Sequence, residues 1–233
     1  MTTDISADMG EGSPGEEEIW PLIDSANVAC GGHTGDVDSM TYAARRAREL
    51  GVRLGAHPSY PDRENFGRKS MSMTPAALRA SLVAQINALR AIAPIVFVKP
   101  HGALYNDAHK DPIRAGVIIE AMRDADPSLA IVCPDVSAMA TAARANGVRV
   151  IREAFADRRY NPDGSLVSRA EPDALLGVDE AAEQAALLAG ERAVIARDGS
   201  RIAVAHDTIC IHADMERAVE RLRAIRQRIG GQG

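Results

Sequence analysis

The chain has 233 residues, 46% of them hydrophobic and 25% charged, with a formal net charge of -5. Those values describe a globular chain long enough to bury one sizeable core. The negative balance argues against a general nucleic-acid surface, and aromatics at only 3% argue against a base-stacking platform.

Strand-like apolar runs are expected at about 3–8, 23–30, 52–56, 95–99, 129–133, 148–151 and 207–211. Helical patterns lie between them. Residues 37–50 place Val37, Met40, Ala44, Ala47 and Leu50 on one face, with Asp36 as N-cap and Gly51 as stop. Thr74-Pro75 opens a second helix running to about Ile92, and Asp111-Pro112 opens a third in the same way. Asp135 caps a fourth that ends before Gly147. The Ala-rich stretch Pro172 to Leu188 contains a fifth, interrupted at Gly177, and the last runs from about Asp214 to Ile229. Asp198-Gly199 between alternating apolar residues predicts a β-hairpin inserted within 193–205. The tail Gly230 to Gly233 is expected to fray.

Strand alternating with helix predicts a seven-stranded parallel (β/α) barrel in one domain spanning 1–233, with an open doubly wound sheet as the alternative. No apolar run is long enough to span a bilayer. No basic segment followed by an apolar stretch opens the chain, so a cytoplasmic protein without membrane contact is expected. Cys30, Cys133 and Cys210 are few, odd in number and widely spaced, which suits a reducing compartment rather than a disulfide framework.

Four of the apolar runs end in a histidine: His33, His57, His101 and His212. In such barrels chemistry gathers at the carboxyl ends of the strands. Imidazoles converging there supply metal ligands or acid–base groups; the alternative is that each one bonds locally at its own strand end. The side-chain period of two sorts Asp4, Ser6 and Asp8 onto one face of the first strand, Phe97, Lys99 and His101 onto one face of the fourth, and Cys210 with His212 on the last. A purely structural barrel interior would be Val, Ile and Leu, so these polar faces point to a functional lumen. Asp8 and Glu11 form a carboxylate pair that can split into an ionised base and an acid or metal ligand. The chain has 24 arginines but only three lysines, Lys69, Lys99 and Lys110. Lys110 lies in a polar segment expected to be a solvated loop, whereas Lys69 and Lys99 lie among the candidate residues. The polar loop from His57 to Lys69 carries Arg68-Lys69, suited to covering a pocket and binding an anion. Glu153, Asp157, Arg158 and Arg159 either pair with one another or face an anionic substrate. Gly-rich Cys30 to Asp36 precedes a helix without a P-loop lysine, and no P-loop, dinucleotide fingerprint, His-Glu-x-x-His or Gly-x-Ser-x-Gly is present.

Taken together, several segments resemble the LamB/YcsF family, whose members form the A component of 5-oxoprolinase. They are Asp4 to Glu11, Ser25 to His33 with Gly35-Asp36, Gly55 to Asp62, Phe66 to Lys69, Val98 to Asn106, Glu153 to Arg158 and Thr208 to His212. Ser6, Gly32, Asn65 and Ala213 depart from the usual pattern. The resemblance implies a barrel like that of glycoside hydrolases and deacetylases. It also implies ATP-dependent opening of 5-oxo-L-proline to L-glutamate, with ATP as cofactor and two partner subunits. On that reading Asp8, Glu11, Lys99 and His101 are the catalytic candidates, and Asn27, His57, Arg68, Lys69, Tyr105, Asn106 and Arg158 the substrate contacts. A divalent metal of unspecified identity would take Asp8, His33, His57 and His101. A stand-alone metal-dependent hydrolase of C–N bonds, or a component that only binds, are the competing readings.

Overall fold

The computed structural model describes residues 3–169 and 171–230. Among them, strands β1 (Asp4–Met9), β2 (Ser25–Ala29), β3 (Arg53–His57), β4 (Phe97–Val98), β5 (Ala130–Cys133) and β6 (Val150–Phe155) pair in sequence order. A two-stranded antiparallel sheet, β7 (Ala193–Ile195) with β8 (Arg201–Ala203), follows as the expected hairpin. The last strand, β9 (Thr208–Ile211), pairs in parallel with both β6 and β1 and closes the barrel. Closure removes the free edges that an open sheet of these seven strands would carry.

The helices are α1 (Glu16–Ile19), α2 (Val37–Leu50), α3 (Pro75–Arg90), α4 (Gly102–Lys110), α5 (Pro112–Ala125), α6 (Ala138–Ala145), α7 (Val178–Glu191) and α8 (Ala218–Gly230). Capping explains several boundaries. Asp36 accepts the Ser39 amide at 2.8 Å and Gly51 ends α2 at φ 70°. Thr74 and Asp111 cap α3 and α5, each followed by proline in the first turn.

Four helical expectations need correction. The fourth helix starts later than Asp135, because Ser137 accepts the Ala140 amide while Asp135 pairs with Arg144. Residues 172–177 are not helical; Gly177 is the cap of α7 rather than a break within it. Residues 213–217 form turns, so the last helix begins at Ala218 and not at Asp214. Lys110 is exposed but ends α4 rather than sitting in a loop. That helix is hidden in sequence because Pro100 and Gly102 read as breakers. It forms because Ala103, Leu104, Tyr105 and Ala108 bury one face. The expected fraying of the tail concerns residues 231–233, outside the described ones.

Side-chain alternation builds two concentric cores. Ile5, Ala7, Val28, Leu54, Ala56, Val98, Ile131, Ala154, Ile209 and Ile211 belong to the large apolar layer shared with the helices. Phe97, Ala130, Val132 and Ile151 form a separate small cluster. Phe97 fills the lumen because β3 offers Gly55 opposite it; a β-carbon at that position would overlap the ring. Below, Asp4 accepts from Ser25 at 2.9 Å and from Arg53 at 2.5 Å, and Thr208 donates to Ser6 at 3.0 Å. The void these groups enclose with Phe97 is only about 10 Å³, room for about one water. The amino end of the barrel is therefore plugged, and chemistry is confined to the carboxyl end.

Candidate active site

Directly above Phe97 lies a layer of buried charge. Lys99 Nζ donates to Asp8 Oδ1 at 2.9 Å and to Cys210 Sγ at 3.0 Å, and forms an ion pair with Glu153 Oε1 at 2.9 Å. Asn27 donates to the same Asp8 oxygen at 2.8 Å, and the Tyr105 hydroxyl donates to Glu153 at 2.7 Å. Burial would lower the Lys99 ammonium, but Asp8 and the neighbouring Cys210 and Glu153 hold it well above its ordinary value. Burial would likewise raise Asp8, yet His57 and Lys99 hold it well below the usual carboxylate range. The layer is thus an ionised carboxylate and a fixed ammonium, largely screened from solvent, which strengthens their attraction.

A second layer sits at the barrel mouth. His57 Nδ1 donates to the Lys99 carbonyl at 2.7 Å, and His101 Nε2 donates to the Phe66 carbonyl at 3.0 Å. Their other nitrogens, His57 Nε2 and His101 Nδ1, face each other at 3.0 Å. Glu11 Oε1 lies 3.1 Å from His33 Nε2, 3.5 Å from His101 Nδ1 and 3.8 Å from His57 Nε2. One ligand atom from each of Glu11, His33, His57 and His101 falls within a span of 4.8 Å. Asp8 belongs to the layer below, with its Oδ2 3.4 Å from His57 Nε2. Burial, then the Asp8 charge, push Glu11 up to about 7. Burial and the nearby His57 push His33 down to about 3 and His101 down to about 2. His57 is held above its ordinary value: burial opposes this, but the Asp8 carboxylate outweighs it.

His212 stands apart from that cluster. Its backbone amide donates to Asp157 Oδ2 at 2.8 Å and its Nδ1 contacts both Asp157 oxygens at 3.1 Å. Burial would raise Asp157, but His212, by charge and hydrogen bond, holds it down to about 2. An ionised carboxylate only accepts, so Nδ1 carries the proton and Nε2 is left as the basic nitrogen. His212 stacks on Phe155 at 5.6 Å and lies close enough for its charge to act on Asp8 and Glu11. An aspartate holding one tautomer of an imidazole is the arrangement that makes a histidine a general base.

The loop 58–69 closes over the histidines. Phe66 adopts φ 54° and sets its ring edge-on to His33 and His101. Gly67, at φ 64°, leaves no room for a side chain: a β-carbon would meet His33 at 2.9 Å and His101 at 3.1 Å. Gly102 fits against the Gly67 carbonyl, which accepts the Ala103 amide at 2.9 Å. Solvent still reaches the site, since the side chains of Asp8, His101 and His212 remain 9–12% exposed.

The residues picked out in sequence divide accordingly. Asp8, Glu11, Asn27, His33, His57, Lys99, His101 and Tyr105 meet in these layers. Arg68 lies at the rim, exposed, paired with Asp214 and lying over the Phe66 ring. Lys69 and Asn106 are exposed. Arg158 is buried and donates to the Val167 carbonyl at 2.7 Å, so it braces the segment after β6 instead of facing the lumen. The Cys30–Asp36 turn carries His33 into the cluster and is held by Arg63, which bonds to the Gly31 and Gly35 carbonyls. Glu153 and Asp157 had no individual role in the sequence reading. The signal was there in alternation, because Glu153, Phe155 and Asp157 share the face that meets Cys210 and His212.

The barrel is similar to known structures over nearly its full length. A lactam utilization protein from Thermus thermophilus superposes with a TM-score of 0.92 at 38% identity, covering 99% of this chain and 97% of that one. A candidate cellobiose-phosphate cleavage protein from Enterococcus faecalis gives a TM-score of 0.60 at 11% identity, covering 99% and 95%. A candidate chitinase A from Streptomyces coelicolor gives 0.54 at 9% identity, covering 98% and 99%. The last two share only the fold. The family model of LamB/YcsF matches residues 3–233, a range that contains every residue of the two polar layers and the His212 pair. On that match and the likeness to the Thermus protein, this chain belongs to the LamB/YcsF family.

Proposed function

We propose that this chain opens the lactam ring of 5-oxo-L-proline to L-glutamate, as the A component of an ATP-dependent 5-oxoprolinase with two partner subunits. The observation that carries the reading is the meeting of three tools of amide hydrolysis at one barrel mouth. They are an aspartate-held imidazole, an ionised carboxylate and a fixed ammonium. The lactam as substrate is supported by the likeness to the Thermus lactam utilization protein.

Ring opening adds water across one C–N bond: the oxygen goes to the carbonyl carbon and a proton to the ring nitrogen. His212 Nε2 is suited to take the proton of the attacking water, with Asp157 stabilising the imidazolium that forms. Lys99 offsets negative charge developing on the carbonyl oxygen, and Asp8 and Glu153 keep that ammonium fixed. The His212 imidazolium can then hand that same proton to the leaving ring nitrogen, so the step balances. Arg68, at the rim, is suited to the substrate carboxylate. A five-membered lactam is a stable amide, and phosphoryl transfer from ATP onto its oxygen, with ADP leaving, would make the carbon a better electrophile. After water attack and C–N cleavage, a second water would release the phosphoryl group as phosphate. No P-loop or dinucleotide fingerprint occurs in the chain, so no recognised nucleotide cradle accounts for ATP use by this chain alone.

The test is release of glutamate and phosphate from 5-oxoproline plus ATP, with this chain alone and with its candidate partners. Little turnover alone and robust turnover in the complex is the expected result. ATP-coupled turnover by the isolated chain refutes partner dependence, and none in the complex refutes the lactam reading. Hydrolysis of C–N bonds without ATP, abolished by a chelator, supports the competing metal-dependent hydrolase.

A further inference from the structure

We infer that Glu11, His57 and His101 form a binding site for one first-row divalent transition-metal ion, with His33 holding the carboxylate in place. A neutral imidazole carries one N–H. His57 spends its own on the Lys99 carbonyl, and His101 spends its own on the Phe66 carbonyl. What remains is His57 Nε2 and His101 Nδ1 facing each other across 3.0 Å, two nitrogens that need either a proton or a metal cation between them.

The three ligand atoms have the right size for such an ion. His57 Nε2, His101 Nδ1 and Glu11 Oε1 are separated by 3.0, 3.5 and 3.8 Å and so lie on a circle of radius about 2.0 Å, which matches metal–nitrogen and metal–oxygen distances of roughly 2.0–2.2 Å. Both imidazoles are fixed through their opposite nitrogens by backbone carbonyls, the usual way a ligand histidine is aimed. Two imidazoles and a carboxylate suit zinc or a neighbouring divalent metal better than magnesium or calcium, which take oxygen.

His33 is excluded from the triad by its orientation. Its ring is stacked on His101, with centroids 3.7 Å apart and planes at 4°, so the in-plane lone pairs of the two rings cannot converge on one point. Its Nε2 instead meets Glu11 Oε1 at 3.1 Å, while its buried Nδ1 has no hydrogen-bond partner among the described residues. Asp8 is also outside the triad: its Oδ1 is engaged by Lys99 and Asn27, and its Oδ2, 3.4 Å from His57 Nε2, is not among the ligand atoms that converge within 4.8 Å. Three protein ligands leave coordination positions open toward the mouth, where a bound ion would act as a Lewis acid.

The metal site stands whether or not the substrate is a lactam, and its test needs no substrate. Protein stripped with chelator is titrated with zinc(II) by calorimetry and with cobalt(II) by visible absorption. The expected result is one ion per chain, a four- or five-coordinate cobalt spectrum and a raised melting temperature. Glu11→Gln, nearly isosteric, and His101→Ala abolish the spectrum. His33→Ala weakens binding by about 10–100-fold, the range for removing a group that orients a ligand. Asp8→Asn retains the ion. Far-UV circular dichroism and unfolding curves establish that each variant folds; if His101→Ala does not, Glu11→Gln decides. No uptake of either metal by the folded wild-type chain overturns the inference and leaves a shared proton as what bridges His57 and His101. Uptake that survives Glu11→Gln but is lost in Asp8→Asn overturns the ligand assignment.

Discussion

Lys99→Met is the sharpest test of how this lumen is held together. Lys99 and its two carboxylate partners are almost entirely buried, with side-chain exposures of 4% for Lys99, 9% for Asp8 and 0% for Glu153. Methionine keeps the length and removes the charge. Asp8 then retains Asn27 and His57, but Glu153 retains only the Tyr105 hydroxyl at 2.7 Å. Removing one partner of a buried ion pair costs about 3–5 kcal/mol, chiefly because the other charge stays buried and uncompensated. That is a large share of the roughly 5–15 kcal/mol that stabilises a domain. The assay is urea unfolding at neutral pH, where the midpoint should fall while the slope stays constant. Adding Glu153→Gln to Lys99→Met should recover more stability than adding Asp8→Asn, because Asp8 keeps other partners. Loss of less than about 1 kcal/mol in Lys99→Met, within the range of ordinary surface changes, would refute the reasoning. So would an absence of recovery with Glu153→Gln.

Other outcomes are expected from the same geometry. Lys99→Arg should not restore turnover, since the lysine nitrogen has three partners within 3.0 Å and a planar guanidinium cannot reproduce them in that space; wild-type rates with arginine would show that charge alone suffices. Gly55→Ala should destabilise by about 1–3 kcal/mol or more through collision with Phe97, and Phe97→Leu in the same chain should recover part of the loss, read as a double-mutant cycle by thermal unfolding. Asp157 ionises at about 2 in the fold against an ordinary 3.8, so its charge stabilises the protein above about pH 4 and that contribution, about 2 kcal/mol, disappears as pH falls toward 2. Unfolding free energies of wild type and Asp157→Asn should accordingly converge across that window; a constant difference would contradict the assignment. His212→Ala should lower turnover of the complex about 10²–10⁴-fold with the fold intact, and full activity would remove it as the base.

Much of this protein is legible in its sequence, because local rules and burial point the same way. The strand–helix rhythm, the caps at Asp36, Thr74 and Asp111, and the hairpin at Asp198-Gly199 are set by short-range chemistry, so seven strands alternating with helices follow from them, while closure through β9 is a long-range pairing. Period-two alternation likewise marks Asp8, Lys99, His101 and His212 as lumen residues. Helix α4 is not legible, because the Pro100–Gly102 signal is outvoted by burial of Leu104 and Tyr105. What only the tertiary structure decides is partnership. Residues separated by 91 positions, Asp8 and Lys99, become neighbours through strand order and stagger, which no local spacing encodes. The same closure gives Lys99 its second carboxylate in Glu153, gives His212 to Asp157, and turns Arg158 toward a loop carbonyl. Whether Glu11 or Asp8 joins the histidines depends on how the chain turns after β1 ends at Met9, which alternation cannot resolve once the strand has ended.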